Sequence, residues 1–334
     1  MQKKDNDYRK EILLESWQKA FHATPGPSSS KEIFFLWLKG FAMGTADLIP
    51  GVSGGTIAFI TGIYEKLLAA IASLTRHAFY DLARFKFISF VSQVHIKFIL
   101  ILGYGVLSAI FLLARAMHYL LTTHPEPTWG LFFGLIFASF FMIWRQINNP
   151  LQAHKLLMIA LGAIVAFFFV GMIPVETPDQ DWFIFLCGVI GISAMVLPGI
   201  SGSFLLLILG KYEFITSALK NPFIATNFQT LFVFACGAFT GLLGFSKILN
   251  WLMREYRAAT MAFLTGILLG SLRKVWPWKE VLETRLVGGK ERIIREANIL
   301  PTQWESTELL TVSTMIIGLL LILALEYHRT KKEA

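Results

Sequence analysis

Long apolar runs dominate the chain and recur from one end to the other. Runs long enough to predict membrane-spanning helices cover about residues 97–120, 128–145, 155–173, 229–251, 259–276 and 308–327. Shorter apolar segments lie before each group of three runs, at about residues 33–49, 54–71, 182–197 and 202–219. The pattern predicts an all-α, polytopic membrane protein in which the shorter segments form broken helical pairs.

Each pair of shorter segments is interrupted by polar and turn-forming residues. The first interruption reads Asp-Leu-Ile-Pro-Gly-Val-Ser-Gly-Gly-Thr from Asp47 to Thr56, and the second reads Met-Val-Leu-Pro-Gly-Ile-Ser-Gly-Ser from Met195 to Ser203. Proline and the residue before it disfavour a continuing helix, and glycine accepts backbone geometry that other residues resist. We therefore predict structural breaks at Pro50, Gly51, Pro198 and Gly199.

The two interruptions are copies of one motif. With Pro50 set on Pro198, seven positions between 50 and 65 carry the same residue in both copies, and further on Gly105 corresponds to Gly237. This agreement predicts an internal repeat. Each repeat would consist of a broken re-entrant helical hairpin with the sequence Pro-Gly-x-Ser-Gly, followed by three transmembrane helices. Because three is an odd number, the second repeat would enter the membrane from the opposite side, giving two inverted-topology repeats.

The predicted organisation has four regions. They are an amphipathic cytoplasmic N-terminal arm and linker (1–30), membrane repeat 1 (31–175), membrane repeat 2 (176–328) and a cytoplasmic tail (329–334). Segments 121–127 and 174–181 contain no Lys or Arg, whereas the N-terminus and the tail are basic. The positive-inside rule therefore places both termini in the cytoplasm. The loop 277–307 would be extracytoplasmic, and we expect an interfacial helix within it.

Composition supports a membrane protein and excludes several other classes. The 334 residues are 55% hydrophobic and 16% charged, and the net charge is +8. In a membrane protein this charge indicates loops that face anionic lipid rather than a nucleic-acid partner. The sequence contains no His/Cys metal cluster, no nucleotide-binding glycine loop and no recognisable catalytic triad, so we expect no metal and no cofactor. Cys187 and Cys236 are expected to be free buried thiols. A homodimer is compatible with the sequence.

Each motif places polar groups at the start of a helix within the apolar layer. The unpaired N–H groups and the positive dipole end of a helix attract anions, especially phosphate. The candidate phosphate-binding residues at the two helix starts are Ser53, Gly54, Gly55, Thr56, Ser201, Gly202 and Ser203. Basic candidates in or beside apolar segments are Lys39, Arg115, Lys211 and Lys247. The alternatives are plain structural kinks for the motifs and snorkelling to the interface for the basic residues.

Asp47 is the one carboxylate at a break, and Met195 takes its place in the second copy. A carboxylate within a membrane is costly and usually functional, so Asp47 is a candidate for binding a proton or coupling ion. Two other roles are open, because Asp47 could cap the next helix or pair with Lys39. Tyr64 and Glu65 are interpreted more simply, as an interfacial anchor and an exposed acid.

The paired motifs resemble those of a bacterial and archaeal membrane family now called PopT-type polyprenyl-phosphate translocases, formerly a membrane domain of unknown function. The resemblance covers roughly residues 33–327. It implies a flippase that binds a polyprenyl phosphate lipid. The activity it implies is recycling of undecaprenyl phosphate from the outer to the inner leaflet of the bacterial cytoplasmic membrane.

The motif is also similar to the Pro-Gly-x-Ser-Arg-Ser loop of the membrane undecaprenyl-pyrophosphate phosphatases. Gly54 and Gly202 stand where those enzymes have arginine, and their paired intramembrane glutamates have no evident match. We therefore expect a lipid-phosphate transporter without catalytic residues. An undecaprenyl-pyrophosphate phosphatase and a secondary transporter of a small anion are the alternatives.

Overall fold

Helices form nearly all of the secondary structure. The computed structural model describes residues 24–49, 52–172, 177–287 and 290–333, together with Trp17 and Phe21. The predicted breaks at Pro50 and Gly51 and most of the predicted N-terminal arm lie outside the described residues.

The helices of the first half alternate short and long segments. They are α1 (Ser30–Asp47), α2 (Gly54–Ile60), α3 (Tyr64–Ala72), α4 (Arg76–Ala83), α5 (Phe87–Gln93), α6 (Ile96–Thr123), α7 (Pro125–Gln146) and α8 (Ala153–Phe169). The second half contains α9 (Asp181–Val196), α10 (Gly202–Ile208), α11 (Tyr212–Lys220), α12 (Ala225–Glu255), α13 (Arg257–Val275), strands β1 (Lys279–Val287) and β2 (Lys290–Asn298), and α14 (Ser306–Glu333).

Within the described ranges, five helices are long and apolar enough to cross a membrane, namely α6, α7, α12, α13 and the 306–324 part of α14. The number rises to seven if each bent helix pair is one span. Helices α8 and α9 are apolar but shorter, at 17 and 16 residues. The predicted multi-pass helical membrane protein is therefore confirmed, with one predicted span, 155–173, represented by the shorter α8.

The segments 54–71 and 202–219 are each two helices rather than the single helix that the apolar pattern predicts. Helices α2 and α3 meet at an angle of 119°, and α10 and α11 meet at 109°. Gly62 and Gly210 stand at the bends with φ of +71° and +66°, a backbone conformation that favours glycine. In both bends the following N–H reaches back to the end of the preceding helix, from Ile63 to the Ala58 carbonyl (3.0 Å) and from Lys211 to the Leu206 carbonyl (2.8 Å). These are glycine C-caps of the Schellman type, so the glycines end the helices.

The long helices pack as parallel pairs through glycines. The pairs are α1 with α6, α9 with α12, α7 with α14, and α8 with α13. In the first pair a Cβ atom on Gly40 would lie 2.3 Å from the Leu102 carbonyl oxygen, and one turn later Gly44 faces Val106. Small residues let helix backbones approach closely where lipid supplies no hydrophobic driving force. Two of these pairs join a helix of one half to a helix of the other.

The expectation of an interfacial helix in the loop 277–307 is wrong, because the loop forms an antiparallel hairpin of β1 and β2. The sequence contains a hairpin signal that explains the difference. Two Gly residues, at 288 and 289, separate segments that contain β-branched residues, a pattern typical of tight hairpin turns.

Candidate functional site

The two motifs meet in the buried interior of the protein. The Ser53 hydroxyl donates to the Met195 carbonyl (2.9 Å), and the Gly199 N–H donates to the Thr56 hydroxyl (2.8 Å). Gly199 has a φ of +86°, which helps to present its N–H to Thr56. Ser53 and Thr56 are 1% and 0% exposed, so these hydrogen bonds are sheltered from solvent. The first motif is thereby fastened to the end of α9 and to the second break.

The backbone N–H groups at the start of α2 are hydrogen-bonded to groups of the same motif. The Gly54 N–H donates to Asp47 Oδ1 (2.7 Å), and the Gly55 N–H donates to Ser53 Oγ (3.1 Å). The Thr56 N–H donates to the Ser53 carbonyl (2.9 Å). Asp47 therefore occupies the capping position that was one of its alternatives. The donors that a phosphate would use at this helix start are already engaged in this conformation.

The start of α10 is different. Met195 replaces Asp47, and no side chain of the described residues caps α10. Ser201 Oγ and Ser203 Oγ lie 2.9 Å apart, and Ser203 is exposed. The two copies of the motif therefore differ in their chemistry, because one helix start is closed by a carboxylate and the other presents hydroxyls without a side-chain cap.

The glycines that follow the two motif serines are in close contact with neighbouring groups. A Cβ atom on Gly54 would lie 2.6 Å from Asp47 Oδ2, and one on Gly202 would lie 2.3 Å from the Gly191 carbonyl oxygen. Gly202 thus lets α10 lie against α9, and Gly54 makes room for the capping carboxylate. Close packing is sufficient reason for glycine at both positions, and contact with a phosphate stays a prediction.

Two of the four basic candidates, Lys39 and Lys211, lie at the far ends of the short helices α2 and α10. Lys39 Nζ donates to the Thr61 carbonyl (2.9 Å), at the far end of α2. Lys211, only 3% exposed, follows α10, where it donates to the Thr177 carbonyl (2.7 Å) and pairs with Asp179. Helix α2 has seven residues, so its two ends are roughly 10 Å apart at 1.5 Å per residue.

Arg115 and Lys247 correspond to one another in the repeat and both have exposed side chains, on α6 and α12. None of the hydrogen bonds or ion pairs found among the described residues joins either side chain to a motif. The structure therefore brings the polar motif residues together but does not place these cations beside them.

Tyr64 differs from the simple interpretation as an interfacial anchor. It is 2% exposed, and its hydroxyl donates to the Val196 carbonyl (3.0 Å) at the end of α9. Its neighbour Glu65 is exposed and forms an ion pair with Arg257, as the Nη2–Oε1 distance of 2.8 Å shows. Tyr64 is thus part of the junction between the motifs. The sequence contained one sign of this role, because tyrosine stands at both corresponding positions of the repeat, 64 and 212.

Sequence reasoning missed a cluster of charges beside α10. Lys274 Nζ lies 4.6 Å from the centre of the Phe204 ring, in the first turn of α10. Glu296 of β2 accepts hydrogen bonds from Lys274 Nζ and Lys279 Nζ, each at 2.9 Å. Burial alone would raise the pKa of Glu296, but the two lysine charges outweigh it and hold that pKa below its usual range. The hairpin is anchored next to the second motif by this cluster.

The two cysteines are free. Cys187 is buried as expected, whereas Cys236 is exposed on α12. The expectation that both thiols are buried is therefore wrong for Cys236, whose side chain lies on the outer surface of its helix.

Apolar spans, sharply bent helix pairs and a buried polar junction define a polytopic helical membrane protein. Comparison with known families makes the assignment specific, because the profile of the VCA0040-like, undecaprenyl phosphate translocase-like family matches residues 43–291. The chain belongs to this family, and the resemblance seen in the two motifs is confirmed.

Two relatives cover most of the chain. A polyprenyl-phosphate transporter of Vibrio cholerae serotype O1 is 39% identical over 302 residues, which are 88% of this chain and 96% of the relative. A polyprenyl-phosphate transporter of Staphylococcus aureus is 34% identical over 260 residues, which are 73% of this chain and 87% of the relative. No solved structure matches the chain.

Proposed function

We propose that this protein is a flippase that recycles undecaprenyl phosphate across the bacterial cytoplasmic membrane. The observation that carries the proposal is the 39% identity to a polyprenyl-phosphate transporter along 96% of that relative's length. The membrane-spanning helices agree with a lipid substrate whose long apolar chain stays in the bilayer while its phosphate passes through a polar site.

The proposed head-group site is the pair of helix starts near the middle of the membrane. In this conformation α10 is the half that receives the phosphate, through the hydroxyls of Ser201 and Ser203 and the N–H groups of its first turn. Support comes from the exposure of Ser203 and from the lack of a side-chain cap in the described part of this motif. Helix dipole and N–H donors both favour an anion there.

Asp47 is proposed to be the coupling residue. Its carboxylate holds the position at α2 that an anion would otherwise take, through its 2.7 Å bond from the Gly54 N–H. Binding of a proton or cation to Asp47 would weaken this bond and leave the start of α2 open to the phosphate. The asymmetry between Asp47 and Met195 would then allow the two helix starts to exchange roles during transport.

The inverted arrangement of the two repeats is part of the proposal. Helix α6 runs parallel to α1 and α12 runs parallel to α9, as expected if each hairpin returns to the face from which it entered. Helices α6, α7 and α8 then alternate in direction within the first half, and α12, α13 and α14 do so within the second half, which agrees with the parallel pairing of α7 with α14 and of α8 with α13. With both termini in the cytoplasm, a cysteine in place of the exposed Gln180 would be labelled from outside intact cells, and one at Glu333 only after permeabilisation.

The function is tested in liposomes that contain the purified protein and undecaprenyl phosphate. We expect the protein to increase the rate at which the lipid phosphate appears in the opposite leaflet. Ser203→Ala should lower the affinity for the lipid about 10- to 150-fold, because one charge-assisted hydrogen bond is worth about 1.5–3 kcal/mol. Ser313→Ala, which changes an exposed serine on α14, is the matched control.

A phosphate-release assay with undecaprenyl pyrophosphate runs beside the transport assay. Hydrolysis needs a positioned nucleophile and cationic stabilisation of the transferring phosphoryl group. Ser53 is buried and engaged in two hydrogen bonds, so no release above the protein-free rate is expected. Protein-dependent release that disappears in Ser53→Ala would replace the transporter with a phosphatase.

A further inference from the structure

A cavity of about 570 Å³ lies at the end of α2 that is remote from the motifs. Its walls come from the start of α1, from α3 and from the start of α6. Lys39 and Ile63 line it where α2 ends, so the cavity is roughly 10 Å, one length of α2, from the helix starts described above. It is therefore a separate place in the fold.

The cavity is lined by more positive than negative charge. Lys31, Lys39 and Lys66 line it, and Glu32 is the one carboxylate among its lining residues. Glu32 accepts a hydrogen bond from the Ser28 N–H (2.9 Å), which ties the carboxylate to the turn before α1. Burial lowers the pKa of His95, the remaining titratable group in the lining, so this imidazole is neutral at pH 7. Three lysines and one glutamate leave a net charge of +2.

The rest of the wall is apolar. Phe35, Leu36, Ile63 and Phe98 line the cavity beside the lysines. Phe35 is also 44% exposed on the outer surface of α1, so an apolar surface continues from the cavity to the outside of the helix bundle. A ligand with an anionic head and an apolar chain matches this combination, because the head meets the lysines while the chain follows Phe35 into the bilayer.

The corresponding positions in the second half of the chain do not carry the positive charge of this cavity. The basic lining is therefore a feature of the first half alone and not of the repeated sequence. With Pro50 set on Pro198, Lys31 corresponds to Asp179 and Lys66 to Phe214. A cavity of about 500 Å³ lies there, and Asp179, Glu213 and Phe214 are among the residues that line it. The two cavities thus have opposite charge in their linings, and the basic one is suited to an anion.

We propose that the basic cavity is a second head-group site, which holds the phosphate of a lipid monophosphate at the membrane face where α1 and α6 begin. The proposal rests on the proposed function, since transport of a polyprenyl phosphate supplies the class of ligand. The cavity would be a second binding site through which the substrate enters or leaves, about 10 Å from the proposed head-group site at the helix starts.

The test locates the lipid directly. Full-length protein in detergent is irradiated with a photoactivatable short-chain polyprenyl phosphate, and the labelled peptides are identified by mass spectrometry. We expect labelling of peptides from α1 and α3 as well as from the start of α10. The double variant Lys31→Gln/Lys66→Gln should lose the α1 and α3 labelling, keep the α10 labelling, and bind undecaprenyl phosphate about tenfold more weakly.

Lys86→Gln is the matched control, because Lys86 is exposed and lies outside the cavity. If this variant weakens binding as much as the double variant, the effect is one of general surface charge and the cavity site is refuted. Equal competition by phosphatidylglycerol would also refute it, since the cavity would then hold any anionic lipid. Full competition by inorganic phosphate at equal concentration would assign the cavity to a soluble anion instead.

The same experiments distinguish an error in the second-site proposal from an error in the proposed transport function. If the wild-type protein neither binds nor moves undecaprenyl phosphate, the transporter proposal itself is wrong. If the wild-type protein moves the lipid and labelling is confined to α10, only the second site is wrong.

Discussion

Ser53 and Ser201 occupy equivalent positions in the two motifs, yet the structure predicts different effects for their replacement by alanine: mainly lost stability at Ser53 and mainly lost lipid affinity at Ser201. Ser53 Oγ donates to the Met195 carbonyl and accepts from the Gly55 N–H, at 2.9 and 3.1 Å, and the residue is 1% exposed. Ser53→Ala leaves both buried partners unpaired. At about 1–3 kcal/mol for each unpaired group, with some relaxation, the loss of unfolding free energy should be about 2–4 kcal/mol.

Ser201→Ala should cost much less stability. Ser201 Oγ bonds to Ser203 Oγ, and the exposed Ser203 can find another partner. Because Ser201 does not cap α10, the loss should be about 0.5–1 kcal/mol. Its effect should fall instead on lipid affinity, since it removes a donor from the proposed phosphate site.

Both quantities can be measured on the same purified variants. Unfolding free energies come from denaturant titration in one detergent, and affinities come from titration with undecaprenyl phosphate under conditions where each variant is folded. Two results would contradict the reasoning. One is equal destabilisation by the two substitutions, and the other is a loss of affinity in Ser53→Ala without a loss of stability.

Three other substitutions test separate parts of the structure. Gly202→Ala should destabilise the protein by about 1–3 kcal/mol in a thermal-unfolding assay, because the new Cβ would lie 2.3 Å from the Gly191 carbonyl oxygen. Gly103→Ala is the control and should be neutral in the same assay, because a Cβ there meets nothing within 4 Å. Asp47→Asn keeps an oxygen for the Gly54 N–H but cannot ionise, so transport measured across a pH and ion series should lose its dependence on them; an unchanged dependence would leave Asp47 as a cap. Glu296→Gln should loosen the β-hairpin at neutral pH, measured as faster limited proteolysis. The pKa of Glu296 in the folded protein is depressed, so the wild-type hairpin should stay anchored as the pH falls through the usual range of a glutamate pKa. The anchor should be lost only at a pH below that range. Rapid cleavage of the wild-type hairpin within that range would contradict the proposed role of the lysine–glutamate cluster.

Much of the architecture could be predicted from local features of the sequence. Runs of about 20 apolar residues identify spans because a helix of that length matches the hydrocarbon thickness. The breaks after Asp47 and Val196 follow from Pro-Gly pairs, which interrupt a helix wherever they occur. The repeat was visible because glycine and proline are retained at matching positions. The same features carried the assignment to the family, which the comparisons confirmed.

Other features were present in the sequence but could not be interpreted from it. Gly62 and Gly210 match in the repeat, yet the bends of 119° and 109° required the positive φ that the fold imposes at those glycines. The loop 277–307 was expected to contain an interfacial helix, but it forms a hairpin that Glu296 anchors to a lysine at the end of α13.

Only the tertiary structure decided which partners the polar groups of the two motifs bond to. Thr56 accepts the N–H of Gly199, which lies 143 positions further along the chain, and Ser53 reaches Met195 across 142 positions. Identical serines at 53 and 201 therefore have different partners, and the three cavity lysines lie on two separate helices, α1 and α3. Local sequence determines where a helix begins and ends because those preferences act within a few residues. Which hydrogen bonds are satisfied depends on groups that only the fold brings within about 3 Å of one another. Which charges share a cavity depends likewise on how separate segments of the chain pack together.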